Sequence, residues 1–146
     1  VRLPLEEYSS LPEEAQDLLA LMKLKLVGLE GYDHHFPSRI SGGMLKRASI
    51  ARAMALDPEI LFLDEPSAGL DPVTSFELDR LIHFLSRNLG ITFVIISHEL
   101  SSIQKIADRV IMLDKSARGI IAVGKPGDLA ASTVPRVKQF FSRGEA

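Results

Sequence analysis

The sequence contains no cysteine in its 146 residues. That excludes disulfide frameworks and thiolate metal sites, and it fits a reducing compartment. No run approaches the ~18 uninterrupted apolar residues of a membrane-crossing helix. No basic segment precedes a short apolar one, so no signal peptide is expected. Charge of either sign is hardly in excess: the net charge is −2 and the pI near 6.1, which gives no support for a nucleic-acid surface. Repeats and low-complexity segments are absent. What is present is an ordinary globular balance, 46% apolar and 25% charged, which argues against disorder. The length suits one domain of ~100–200 residues, able to bury roughly two-thirds of its unfolded surface. The chain begins at Val1 rather than Met, which leads us to expect a processed or truncated stretch.

The first third reads as helical. Ser10 and Glu13 have the spacing of a capping box, and Leu18, Leu19, Met22 and Leu26 recur at helical intervals up to a stop at Gly28. Residues 31–37 read as loop. A second helix follows Ser41-Gly42-Gly43 and ends near Leu56, before Asp57-Pro58. The period then changes. Ile60 to Leu63 is a continuous apolar run, predicted as a strand buried on both faces. Asp71-Pro72 opens a helix as N-cap and N1, with Leu78, Leu81, Ile82 and Leu85 on one face and Gly90 closing it. Thr92 to Ile96 reads as a second buried strand. Strand, helix, strand at this spacing predicts a parallel pair. A short helix over 101–107, strands over 109–113 and 120–123 joined by a turn, and a terminal helix over 135–142 complete the reading.

The chemistry-bearing residues cluster at element ends. Asp64 and Glu65 follow the first strand, where ligands of open α/β sheets bind; two carboxylates there suit a Mg²⁺ ligand and a water-orienting base. A solvated strand end is an equally plain reading of an acidic pair. Ser97-His98 stands at the corresponding end of the second strand, and parallel pairing sends both ends to one edge. Ser41-Gly42-Gly43 opens a helix whose N–H groups could receive an anion, or is simply a serine cap with two small residues. Residues 68–71 (Ala-Gly-Leu-Asp) read as a turn and cap. Gly119 to Lys125 has the G-x4-G-K spacing of a phosphate-binding loop, but Pro126 replaces the required Ser or Thr and the intervening residues are strand formers, so it is rejected. No other G-x4-G-K-[ST] occurs.

In order and spacing, however, Ile40-Ser41-Gly42-Gly43-Met44, Lys46-Arg47, Ala51-Arg52-Ala53, Asp57-Pro58, Leu61-Phe62-Leu63-Asp64-Glu65-Pro66, Ala68-Gly69-Leu70-Asp71-Pro72 and Ser97-His98 together resemble the ATP-binding-cassette (ABC) ATPases over essentially the whole chain. Met44 after Ser-Gly-Gly, the stretch Met22-Lys23-Leu24…Val27-Gly28-Leu29, and the tail Pro135 to Phe140 resemble the lipid-asymmetry and toluene-tolerance group, which works with permeases and substrate-binding proteins of the mammalian-cell-entry (Mce) type.

The resemblance implies an α/β fold: a partial P-loop NTPase (RecA-like) core with a mostly parallel sheet, plus the ABC helical subdomain. Residues 1–56 would be the helical subdomain and signature helix, 57–124 the Walker B side of the core, and 125–146 a C-terminal helical tail. It implies ATP and Mg²⁺, with Asp64 on the metal, Glu65 as catalytic base and His98 sensing the γ-phosphate. Ser41, Gly42, Gly43 and Met44 would contact nucleotide held by a second subunit, with Asp71 and Ser97 nearby. The implied partners are that second ATPase subunit in a homodimer, membrane permease subunits and an Mce-type protein, with no nucleic acid. The implied place is the cytoplasmic face of the inner membrane, as a peripheral subunit. The family's P-loop and Gln-loop lie N-terminal to its signature motif, so the chain is expected to be a C-terminal part, inactive alone. A non-transport ABC ATPase and a non-catalytic dimerisation fragment are the rival readings.

Overall fold

The computed structural model describes residues 1–142. They form two compact units, Val1–Ile96 and the segment from Ser97 onward.

In the first unit the order is α1 (Leu3–Tyr8), α2 (Glu13–Leu26), a 3₁₀ turn (Pro37–Arg39), α3 (Gly42–Ala53), β1 (Ile60–Asp64), α4 (Pro72–Leu89) and β2 (Thr92–Ile96). α1 is an element not resolved by the sequence reading. The expected capping box at Ser10 does not form. Pro12 is the N-cap of α2, its fixed φ of −64° joined to an extended ψ, and its carbonyl accepts from the Ala15 and Gln16 amides. The packed face of α2 also differs from its leucine face. Gln16, Ala20 and Lys23 on the helix, and Val27 at its C-cap, are buried, whereas Leu18, Leu21 and Met22 are exposed. Lys23 lays its aliphatic stem in the interior and pairs its ammonium with Asp57.

α4 follows its sequence pattern closely. The Asp71 carboxylate caps it, Pro72 stands at N1, and Gly90 closes it at φ +69°, a left-handed C-cap that glycine adopts without steric cost. Leu78, Ile82 and Leu85 are buried. β1 and β2 pair in parallel, with Ile60 opposite Thr92 and Asp64 opposite Ile96. Neither strand is buried on both faces. Leu61 is buried and Leu63, Phe93 and Ile95 are half-buried, while Ile60, Phe62, Val94 and Ile96 are exposed. The sheet has two strands, and one of its faces is left open among the described residues.

The second unit holds α5 (Leu100–Ile106), β3 (Val110–Asp114), β4 (Gly119–Gly124), α6 (Pro126–Ala130) and α7 (Pro135–Phe141). β3 and β4 form the expected antiparallel hairpin, with an irregularity between Met112 and Leu113. The Asp114 carboxylate accepts from the Ser116 and Ala117 amides and fixes the turn. One hairpin face, through Val110, Met112, Ile121 and Ala122, packs on Leu129, Val137 and Phe141. Gly119 to Gly124 is a strand and Pro126 begins a helix, so the rejected phosphate-loop look-alike has no loop. The end of the expected tail, residues 143–146, lies outside the described residues. No helix among those described is long and apolar enough to cross a membrane.

Candidate functional site

Ser41 is the N-cap of α3, and its hydroxyl accepts from the Met44 amide at 3.3 Å. This is the geometry of a serine N-cap, and it leaves the Gly42 and Gly43 amides outside the cap bond. Gly42 and Gly43 differ in kind. Gly42 is exposed, and a Cβ there would make ordinary contact with Leu70 at 3.7 Å. Gly43 is buried, and a Cβ would collide with the Thr74 methyl group. The absence of a side chain at Gly43 is therefore what lets the start of α3 seat against the start of α4. The structure thus brings Ser41 to Met44 beside the 68–71 turn, two motifs separated in sequence by the rest of α3 and by β1.

Asp71 is exposed and rigidly held. Its carboxylate accepts from the Val73 amide at 3.0 Å, the Thr74 amide at 3.1 Å and the Thr74 hydroxyl at 2.5 Å. The Thr74 hydroxyl, then the Thr74 amide, hold its pKa below the ordinary carboxylate value, because both donate to the charged form. Thr74 was not singled out in the sequence; a hydroxyl residue three positions after an Asp cap is the signal that could have found it.

Asp64 ends β1 and is exposed; Glu65 follows, half-buried. Glu65 has φ +45°, a left-handed conformation. It precedes Pro66, which disfavours helical backbone at the preceding residue. Its amide donates to the Ile96 carbonyl at 2.9 Å, and its carbonyl accepts from the Ala68 amide at 3.1 Å. The strand end is thereby turned sharply and pinned to β2. Among the described residues no group of three or more His, Cys, Asp or Glu forms a cation cage. Mg²⁺ commonly takes only one or two carboxylates and fills its octahedron with water and phosphate oxygens. The exposed Asp64 carboxylate at a strand end fits that mode.

Ser97 and His98 belong to the second unit. The Ser97 hydroxyl accepts from the Glu99 amide at 3.1 Å, just before α5, and His98 is exposed. Ser41 to Met44, Asp64, Glu65 and Asp71 all lie in the first unit.

Residues 6–68 match the family described as ABC transporter. The chain is 43% identical over 142 residues to the intermembrane phospholipid transport system ATP-binding protein MlaF of Escherichia coli (strain K12), covering 97% of this chain and 52% of that protein. It is 37% identical over 139 residues to the probable ribonucleotide transport ATP-binding protein mkl of Mycobacterium leprae (strain TN), covering 95% of this chain and 40% of that protein. The chain spans about half the length of the MlaF proteins it matches. Among solved structures, cbiO1 from Clostridium perfringens, part of the ABC transporter complex cbiONQ, aligns with a TM-score of 0.78 at 27% identity, over 94% of this chain and 57% of that one. A dimeric ATP-binding cassette in a post-hydrolysis state with ADP and Pi aligns at 0.71 and 30% identity, over 86% of this chain and 54% of that one. By fold and by relatives matched across nearly its whole length, the chain is similar to the ATP-binding proteins of ABC transporters.

Proposed function

We propose that the chain supplies the signature and Walker B elements of an ATP-hydrolysing transporter subunit, and that the transported cargo is phospholipid. The observation that carries the ATPase reading is the Asp64-Glu65 step at the carboxyl end of the parallel pair, with Glu65 turned out of the strand and pinned by its backbone. The cargo reading rests on the 43% identity to a phospholipid transport protein. Segments 1–56, 57–124 and 125–146 take the parts of helical subdomain, Walker B core and tail.

In this reading Asp64 holds Mg²⁺, which when bound draws charge from the phosphate oxygens. Glu65 accepts a hydrogen bond from the attacking water and receives its proton as the water oxygen bonds to the γ-phosphorus and the bond to the leaving diphosphate oxygen breaks. Ser41, Gly42 and Gly43 offer the hydroxyl and helix-start N–H groups to the γ-phosphate of a nucleotide bound mainly by a second subunit, with Met44 beside them. His98 and Ser97 contact the γ-phosphate of the other nucleotide, the one that Asp64 and Glu65 of their own subunit serve, and Asp71 shapes the turn at the dimer seam. Membrane permeases and an Mce-type protein complete the assembly, with the subunit peripheral at the cytoplasmic face of the inner membrane.

The test uses two variants of the full-length subunit. Glu65→Gln retains shape but loses the charge that receives the proton, so turnover should fall on the order of 10²–10⁴-fold while Mg-ATP still binds. Its closed, ATP-bound dimer should accumulate. Ser41→Arg places bulk at the γ-phosphate contact, so closure should fail and the subunit should stay monomeric with Mg-ATP. Gel filtration with nucleotide separates the two. Parental turnover by Glu65→Gln, or identical oligomeric behaviour of both variants, would overturn the assignment.

A further inference from the structure

Glu65 is held from a direction that no strand or turn accounts for. Its backbone is left-handed although its side chain disfavours that region and the following proline favours extended backbone. Such a conformation persists only where the surroundings over-determine it. Two of its restraints are the main-chain bonds to Ile96 and Ala68. A third comes from a side chain: the Lys46 Nζ donates to the Glu65 carbonyl at 3.3 Å. Lys46 is half-buried on α3, one turn and a half beyond Ser41. Its place is fixed in turn. The next residue, Arg47, donates to the Val27 carbonyl at 3.4 Å and pairs with Glu77 of α4 at 2.9 Å. Near its start, α3 abuts α4 at Gly43 and Thr74.

We propose that Lys46 is a positioning residue for Glu65. Its ammonium, bound to the main-chain oxygen rather than the carboxylate, holds the turned peptide and so aims the side chain without neutralising it. The proposal rests on the reading of Glu65 as the base. A carbonyl that accepts both an amide and an ammonium is fixed in two directions; with the amide alone, the peptide between Glu65 and Pro66 can tilt. Hydrogen bonds to charged groups are among the stronger ones in proteins, so the loss should register at the carboxylate.

Lys46→Met keeps most of the stem and removes the donor, Lys46→Arg restores a cationic donor, and Glu65→Gln is the reference. In the full-length subunit, Lys46→Met should lower kcat about tenfold, as small misplacements of a catalytic group do, with KM for Mg-ATP held within about twofold. Lys46→Arg should regain most of the rate. In the 146-residue chain itself, the amide resonance and exchange rate of Ala68, which shares the Glu65 carbonyl, should move in Lys46→Met and return in Lys46→Arg. A parental kcat in Lys46→Met while Glu65→Gln abolishes turnover would overturn the proposal and leave the site reading standing. Parental turnover in Glu65→Gln would overturn both. Equal losses in the Met and Arg variants, or KM rising in step with the fall in kcat, would mark a packing role and overturn it. If Lys46→Met fails to fold, Lys46→Gln, too short to keep the contact, takes its place with the same outcomes.

Discussion

Asp71 does two jobs with one carboxylate: it stops the preceding turn and starts α4. The Thr74 hydroxyl and amide favour its charged form, so its folded pKa lies below the ordinary 3.8. The sign follows directly. A carboxyl lowered on folding adds stability that is present above its unfolded value and lost as pH falls through its folded value. The first turn of α4 should therefore loosen only below about pH 4. Carbon-detected titration of Asp71 should give a midpoint under 3.8, and Thr74→Val, which deletes the hydroxyl donor, should move that midpoint upward. An unmoved midpoint would mean that the hydroxyl contact is not made in solution. Asp71→Asn retains an acceptor for the cap and should flatten the acid dependence of helix unfolding without abolishing the helix.

At the scale of elements, the α3–α4 contact turns on Gly43. A helix gains up to about 1 kcal/mol when glycine becomes alanine. Here the new Cβ would strike the Thr74 methyl group, and overpacking costs about 1–3 kcal/mol. Gly43→Ala should therefore destabilise the wild type in urea unfolding. In a Thr74→Ser background, where the methyl is gone and the hydroxyl to Asp71 remains, the same substitution should be neutral or stabilising. The change of sign is the diagnostic; equal effects in both backgrounds would place the cost elsewhere. Such contacts are invisible in sequence, whereas the caps, closures and periods of α3 and α4 were readable because their causes are local. Gly90, Pro72 and the Leu78–Ile82–Leu85 stripe each act within one turn of helix, and β1–β2 pairing followed from the spacing around them. Burial was misread where it depends on a neighbour. Leucines at helical spacing on α2 suggested a packed face, yet the buried face is Gln16, Ala20 and Lys23. Apolarity shows what could be covered and not what covers it. The motif residues of the site could be picked out for the same reason as the caps, but the reach of Lys46 to Glu65 depends on helix placement, which no local pattern encodes.

For the whole molecule, two consequences follow from what the chain contains. Its sequence has no G-x4-G-K-[ST], whose amides and lysine hold the phosphates. The purified 146-residue chain should hydrolyse Mg-ATP no faster than background; turnover sensitive to Glu65→Gln would contradict that. The second consequence is association. On the first unit Ile60, Phe62, Val94 and Ile96 lie on one open sheet face, with Phe62 75% and Ile96 60% exposed. On the second unit Ile111 pairs with Val123 and Leu113 with Ile120, and all four point outward. Each strand pair, having two members, also presents unpaired edges among the described residues. Monomers rarely expose contiguous apolar patches beyond a few hundred Å², and open edges recruit further strands. The chain should therefore form dimers or larger species in light scattering. Phe62→Lys with Ile96→Lys should reduce association through the first face, and Leu113→Lys with Ile120→Lys through the second, because a charge cannot be buried unpaired without a cost of several kcal/mol. If only one pair of substitutions lowers the mass, that face is the one that associates. A wild-type chain that stays monomeric at high concentration would show that these faces are tolerated in water.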